Sequence, residues 1–202
     1  MNVAILAGGK ATRMGCIDKG LVRVCGERII ERLLRTFKDC RTVIVCRDER
    51  QAESYAYFAD VITDIYPGCG PLAGIHAALK HFGERTLAVA IDMPFIVRRV
   101  AEEIFNTAEK KDADAAIPRW NDGKFEPLLA CYSPSINKEI EKSLKAGEKK
   151  IMAPVLRSKV IFIPIEELKQ FDVHCVSFFN LNSPEDIRRA EELCSLTDLE
   201  GQ

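Results

Sequence analysis

Val3-Ala4-Ile5-Leu6-Ala7-Gly8-Gly9 is an unbroken apolar run that stops on two glycines. A strand with one wet face would alternate apolar and polar residues, whereas a continuous run suits a strand covered on both faces. The pattern recurs downstream. Thr42-Val43-Ile44-Val45-Cys46 and Leu87-Ala88-Val89-Ala90-Ile91 are of the same kind, and Asp60-Val61-Ile62-Thr63-Asp64 is a shorter version. Between these runs lie segments that read as helices. Residues 27–37 carry Ile29, Ile30, Leu33, Leu34 and Phe37 at helical spacing. Residues 48–58 are charged, 71–82 open on a proline, and 97–110 follow the fourth strand. Strand and helix alternating at this tempo predicts an α/β fold: a three-layer, Rossmann-like, mostly parallel sheet with helices on both faces.

Beyond residue 112 the pattern is less regular. Residues 113–118 and 125–132 read as strands flanking the turn Asn121-Asp122-Gly123, and 135–145 as a helix ending at Gly147. Residues 160–163 and 175–179 read as further strands. Ser183 is a fitting N-cap for a final helix opened by Pro184. A single domain is expected over 1–195, followed by a short tail, 196–202.

With 29 basic against 30 acidic side chains in 202 residues, the net charge is −1, which disfavours nucleic-acid binding through bulk electrostatics. A small anionic ligand needs only a local cluster. The eight cysteines, at 16, 25, 40, 46, 69, 131, 175 and 194, contain no C-x-x-C pair, and His76, His81 and His174 show no metal spacing. That arrangement argues against both a disulfide framework and a zinc site. The N-terminal run is too short and lacks the basic leader of a signal peptide, and no apolar stretch approaches the roughly 20 residues of a membrane span. The expectation is a protein of the reducing cytoplasm, with no membrane and no nucleic-acid partner.

Ligands of such sheets bind beyond the carboxyl ends of the strands. Three unusual clusters fall there: 8–19, 64–74 and 92–95. In the first, Gly8 and Gly9 let backbone N–H groups approach a phosphate, and Arg13 and Lys19 add the cationic donors a triphosphate requires. It fits neither G-x-x-x-x-G-K-[ST] nor G-x-G-x-x-G. In the third, Asp92 ends a wholly apolar strand, so its carboxylate either caps the next helix or holds a cation. Beside a triphosphate loop, a Mg²⁺ ion bridging phosphate oxygens is the better account.

The string Leu6-Ala-Gly-Gly-x-x-x-Arg13-Met14-Gly15-x-x-Asp18-Lys19-Gly20 resembles the signature loop of the MobA-type nucleotidyltransferases, the family of the molybdenum cofactor guanylyltransferases. Cys16 stands where that family commonly has glycine. The resemblance implies a nucleotide-diphospho-sugar transferase-like fold with an NTP-binding half, 1–111, and an acceptor-binding half, 112–195. It places Leu6, Ala7, Gly8 and Gly9 along the nucleotide and gives Arg13 and Lys19 the charge on the α-phosphate and the departing pyrophosphate. Asp64-x-x-Pro67-Gly68-x-Gly70-Pro71-Leu72-Ala73-Gly74 is similar to the family segment over base and ribose, which implicates Asp64, Gly70, Pro71 and Leu72. Asp92 of Asp92-Met93-Pro94-Phe95 corresponds to the Mg²⁺ ligand, making Arg13, Lys19 and Asp92 the expected catalytic set. Asn180 and Asn182 resemble acceptor-binding positions, although asparagines at a strand-to-helix turn also serve as simple caps. Arg119, Trp120 and Lys124 lie near a turn that could line the acceptor pocket, with Trp120 either stacking on a pterin or packing by its edge.

The reaction so implied moves GMP from GTP to the phosphate of molybdopterin or the molybdenum cofactor and releases pyrophosphate. Proteins that deliver the cofactor or receive it are further expected partners. Three alternatives are an adenosylcobinamide phosphate guanylyltransferase, a molybdopterin cytidylyltransferase and a sugar-phosphate nucleotidyltransferase, the last usually longer. A non-catalytic nucleotide-binding module is a fourth, and the joint presence of Arg13, Lys19 and Asp92 counts against it.

Overall fold

The computed structural model describes residues 1–8 and 18–200, with side chains through residue 194. Among the described residues the chain builds β1 (Asn2–Leu6), the two-stranded hairpin β2 (Arg23–Val24) and β3 (Glu27–Arg28), α1 (Ile29–Thr36), β4 (Arg41–Cys46) and α2 (Glu49–Tyr55). Next come β5 (Val61–Thr63), α3 (Pro71–Phe82), β6 (Thr86–Ala90), α4 (Arg98–Lys110), β7 (Ala115–Arg119) and β8 (Leu129–Tyr132). The remainder is α5 (Asn137–Lys145), α6 (Met152–Val155), β9 (Val160–Pro164), α7 (Ile165–Leu168) and α8 (Pro184–Glu200). The last helix runs over most of the segment read as a tail.

Seven strands form one sheet in the order β5-β4-β1-β6-β8-β7-β9. All neighbours are parallel except β8, which lies antiparallel between β6 and β7. The continuous apolar runs have the physical cause expected of them. Val3 and Ile5 of β1 face one core, with α1, α4, α7 and α8, and Ala4 and Leu6 face the other, with α3, α5 and α6. Each strand therefore needs apolar residues at every position.

Several boundaries differ from the sequence reading. Residues 27–28 pair with 23–24 across the turn Cys25-Gly26, where both residues have positive φ (54° and 73°), the conformation of a two-residue hairpin. The following helix therefore starts at Ile29, and the Glu31 side chain accepts the Arg28 N–H at 3.0 Å to cap it. The strand expected over 125–132 is confined to β8, because Pro127 has no N–H to give a ladder and Phe125 makes only an isolated bridge to Arg119. No strand forms over 175–179. Asp172 accepts the N–H groups of Val176 (3.0 Å) and Ser177 (2.8 Å), Cys175 has φ 54°, and Val176–Phe178 is a 3-10 turn. These local bonds occupy the donors that a ladder would have used.

The reading against disulfides is also corrected. Cys25, in the hairpin turn, is bonded to Cys194 on α8, with Cα atoms 6.0 Å apart and the two residues 169 positions apart in sequence. Short-range spacing is blind to a bridge whose halves meet only when the last helix packs against the first hairpin.

Candidate active site

Leaving β1, the chain adds β4 and β5 on one side, then returns to place β6 on the other. The carboxyl ends of β1 and β6 are thus a topological switch point, where the connections part and leave a crevice. The Ile91 N–H donates to the Leu6 carbonyl at 3.2 Å across it. A cavity of about 210 Å³ opens there, walled by Leu6, Ala7, Gly8, Lys19, Pro71 and Asp92. A larger cavity, about 480 Å³, lies among Phe37, Arg41, Thr42 and His81 near the amino end of β4, away from these residues.

Lys19 is the centre of the site. It sits in the short 3-10 turn Lys19–Leu21, and its Nζ donates to Asp92 Oδ2 at 2.8 Å and to Asn182 Oδ1 at 2.8 Å. An ammonium has three N–H donors, so among the described residues one remains for a ligand oxygen. The Lys19 and Asp92 side chains are 19% and 20% exposed, partly withdrawn from water yet still reachable from the cavity. Asn182 is held to this place by the backbone. The Leu181 N–H donates to the Asp92 carbonyl (2.9 Å), and the Asn182 N–H donates to the Asp186 carboxylate (2.9 Å), which keeps that carboxyl below its ordinary range. Residues 19, 92 and 182, read from three separate motifs, converge on one ammonium.

Three residues that sequence reasoning assigned no role stand behind Lys19. The Asp18 carboxylate accepts from the Gly20 N–H (3.3 Å), from the Gln51 amide (2.7 Å) and from the Tyr55 hydroxyl. Gln51 also donates to the Ala7 carbonyl at 3.0 Å and accepts the Arg47 N–H at 3.0 Å. Burial first, and then the neighbouring Asp18, push the Tyr55 phenol far above its usual range, so it remains a donor. Asp18 stood in the signature string without a role, and the structure shows that Gln51 and Tyr55 are the buried positions of their helix.

The other expected residues fall variously. Gly9 and Arg13 lie outside the described residues. Gly70 has φ +70° and precedes α3, and Pro71 is both the first residue of that helix and part of the cavity wall. The Leu72 side chain is fully buried in the core, so only its backbone can face a nucleotide. Asp64 follows β5 and lies against Gly74 of α3, where burial raises its carboxyl to about 6. The Asn180 amide donates to the Phe178 carbonyl at 3.0 Å, a local turn contact, so the two asparagines are not equivalent. Trp120 meets Phe178 edge-on at 5.7 Å, and its indole N–H donates to the buried Glu126 at 2.7 Å. Lys124 pairs with the same Glu126 oxygen at 2.8 Å, and the Arg119 guanidinium lies over Phe125. His76 is buried, with Nε2 3.1 Å from Glu141.

A doubly covered sheet whose switch point carries a glycine-ended strand, with a lysine and an aspartate meeting over its mouth, has the form of a nucleotide-phosphate site. A family model for the MobA-like NTP transferase domain matches residues 3–160, and the chain belongs to that family. A probable molybdenum cofactor guanylyltransferase of Methanosarcina mazei is 36% identical, over 92% of this chain and 88% of its own. One from Thermococcus kodakarensis is 35% identical, over 94% of each. The solved structure of molybdopterin-guanine dinucleotide biosynthesis protein A from Archaeoglobus fulgidus is 45% identical and superposes with a TM-score of 0.89, covering 96% of this chain and 99% of that one.

Proposed function

We propose that the chain transfers GMP from GTP to the terminal phosphate of molybdopterin, or of its molybdenum-loaded form, and releases pyrophosphate. The observation that carries this reading is Lys19 held between Asp92 and Asn182 at the switch point. The names of the relatives supply the donor and acceptor. The acceptor phosphate is already anionic at neutral pH, so it attacks the α-phosphorus directly and no protein nucleophile is needed. What remains for the protein is alignment and charge stabilisation. The Gly8 backbone and the first turn of α3 approach the nucleotide, and Lys19 directs its remaining N–H at phosphate oxygen. The Asn182 side, stitched to the Asp92 backbone, faces the acceptor.

The residues present suit Mg²⁺. The Asp92 carboxylate engages Lys19 through one oxygen, and the described residues include no group of three or more His, Cys, Asp or Glu able to cage an ion. Mg²⁺ commonly takes one or two protein carboxylates and completes its shell with phosphate oxygens and water. Asp92 would hold it, and the ion would supply further neutralisation of the triphosphate.

The test is pyrophosphate release from purified protein with molybdopterin and Mg²⁺, run in parallel with GTP, CTP and ATP and repeated with EDTA. The expected result is release that requires GTP, molybdopterin and Mg²⁺ together. Release with CTP instead would reassign the donor, and release without molybdopterin would reject the acceptor.

A further inference from the structure

We propose that Gln51 and Tyr55 of α2 are positioning residues that fix the Lys19 ammonium by clamping the residues on either side of it. The inference rests on the reading of Lys19 as a nucleotide-phosphate contact. A lysine has four rotatable bonds, and an ammonium is a compact charge with no geometry of its own, so its placement depends on where its backbone is held. Here the backbone is held on both flanks. Asp18 is gripped through one carboxylate oxygen by the Gln51 amide (2.7 Å) and through the other by the Tyr55 hydroxyl. Gly20 is packed so closely against Tyr55 and Ile91 that a Cβ there would collide with both side chains.

The same Gln51 amide donates to the Ala7 carbonyl at 3.0 Å, and the Ala7 N–H donates to the Val45 carbonyl at 2.9 Å. One buried amide thus joins the end of β1 to the residue before Lys19, and both to α2. Gln51 is 3% exposed and Tyr55 is fully buried, and neither lines the cavity, so neither can touch a nucleotide. Their hydrogen bonds are to a carboxylate, the kind that costs most to break when the partner stays behind. The polar side chains that α2 buries are therefore spent on the segment that carries the site lysine.

The test is a double-mutant cycle on equilibrium GTP binding, measured by calorimetry in Mg²⁺ buffer with no acceptor. Tyr55→Phe removes one oxygen and keeps the ring, and Gln51→Met keeps the length and removes the amide. Each is made in the parent and in Lys19→Ala. The expected result is about tenfold weaker GTP binding for either variant in the parent, the scale of a hydrogen bond to a charged group. In the Lys19→Ala background the same substitutions should change affinity less than twofold. Equal losses in both backgrounds would overturn the proposal, since a merely structural role weakens binding whether or not Lys19 is present. Tyr55→Phe, with packing intact, keeps the cycle readable if Gln51→Met unfolds. A parent chain that binds no GTP would instead overturn the functional reading, and the proposal with it.

Discussion

At the scale of single residues, the site rests on a partly withdrawn ion pair. Lys19 donates to Asp92 and Asn182, and under the proposed function its removal deletes one preorganised donor to phosphate. Lys19→Ala should lower turnover by about two to three orders of magnitude at saturating GTP, measured as pyrophosphate release; a rate near the parent's would remove Lys19 from the mechanism. Asp64 yields a prediction with a pH signature. Its carboxyl is raised to about 6 by burial, against about 4 in an unfolded chain. The folded state holds that proton more tightly, so Asp64 costs stability progressively as pH rises from about 4 through about 6, and the cost is level above. Asp64→Asn should melt with the parent near pH 4 and above it at pH 7.5. A gap that stays the same across this range would show that burial does not govern this carboxyl.

At the scale of elements, the turn Lys19–Leu21 is decided by what packs behind it. Gly20 tolerates no side chain because Tyr55 of α2 and Ile91 after β6 already fill the space. Gly20→Ala should cost about 1–3 kcal/mol through overpacking, read by urea unfolding, and should weaken GTP binding because the lysine moves with the turn. Unchanged stability and affinity together would mean that the turn has slack that the packing does not show. The last helix is started by equally local chemistry. Ser183 Oγ accepts the Asp186 N–H at 3.2 Å, and the Asp186 carboxylate accepts the Ser183 N–H at 2.9 Å, a reciprocal cap that also fixes Asn182.

At the scale of the whole molecule, the Cys25–Cys194 bond ties the hairpin after the first glycine loop to the helix that follows Asn182. Cross-linking residues so distant restricts the unfolded chain, and such bonds contribute about 2–5 kcal/mol. Reduction with dithiothreitol, or Cys25→Ser, should lower the melting temperature by about 5–15 °C in a chain of this size. Identical melting of oxidised and reduced protein would show that the bond adds nothing. The amino-acid sequence by itself determined the layered α/β fold, because both faces of each central strand must be apolar and the Val3–Leu6 and Leu87–Ile91 runs state that directly. It also put Lys19 and Asp92 in the segments that follow β1 and β6, on the side of the sheet where ligands of such folds bind, and the structure brings the two together. Only the tertiary structure decided that Asn182, and not Asn180, reaches Lys19, that Leu72 turns into the core, that 175–179 is no strand, and that Cys25 finds Cys194. It alone revealed Gln51 and Tyr55 behind the lysine. Local periodicity records which face of an element is buried, whereas the Lys19–Asn182, Asp18–Gln51 and Cys25–Cys194 pairings depend on segments tens to more than a hundred residues apart being brought together by packing.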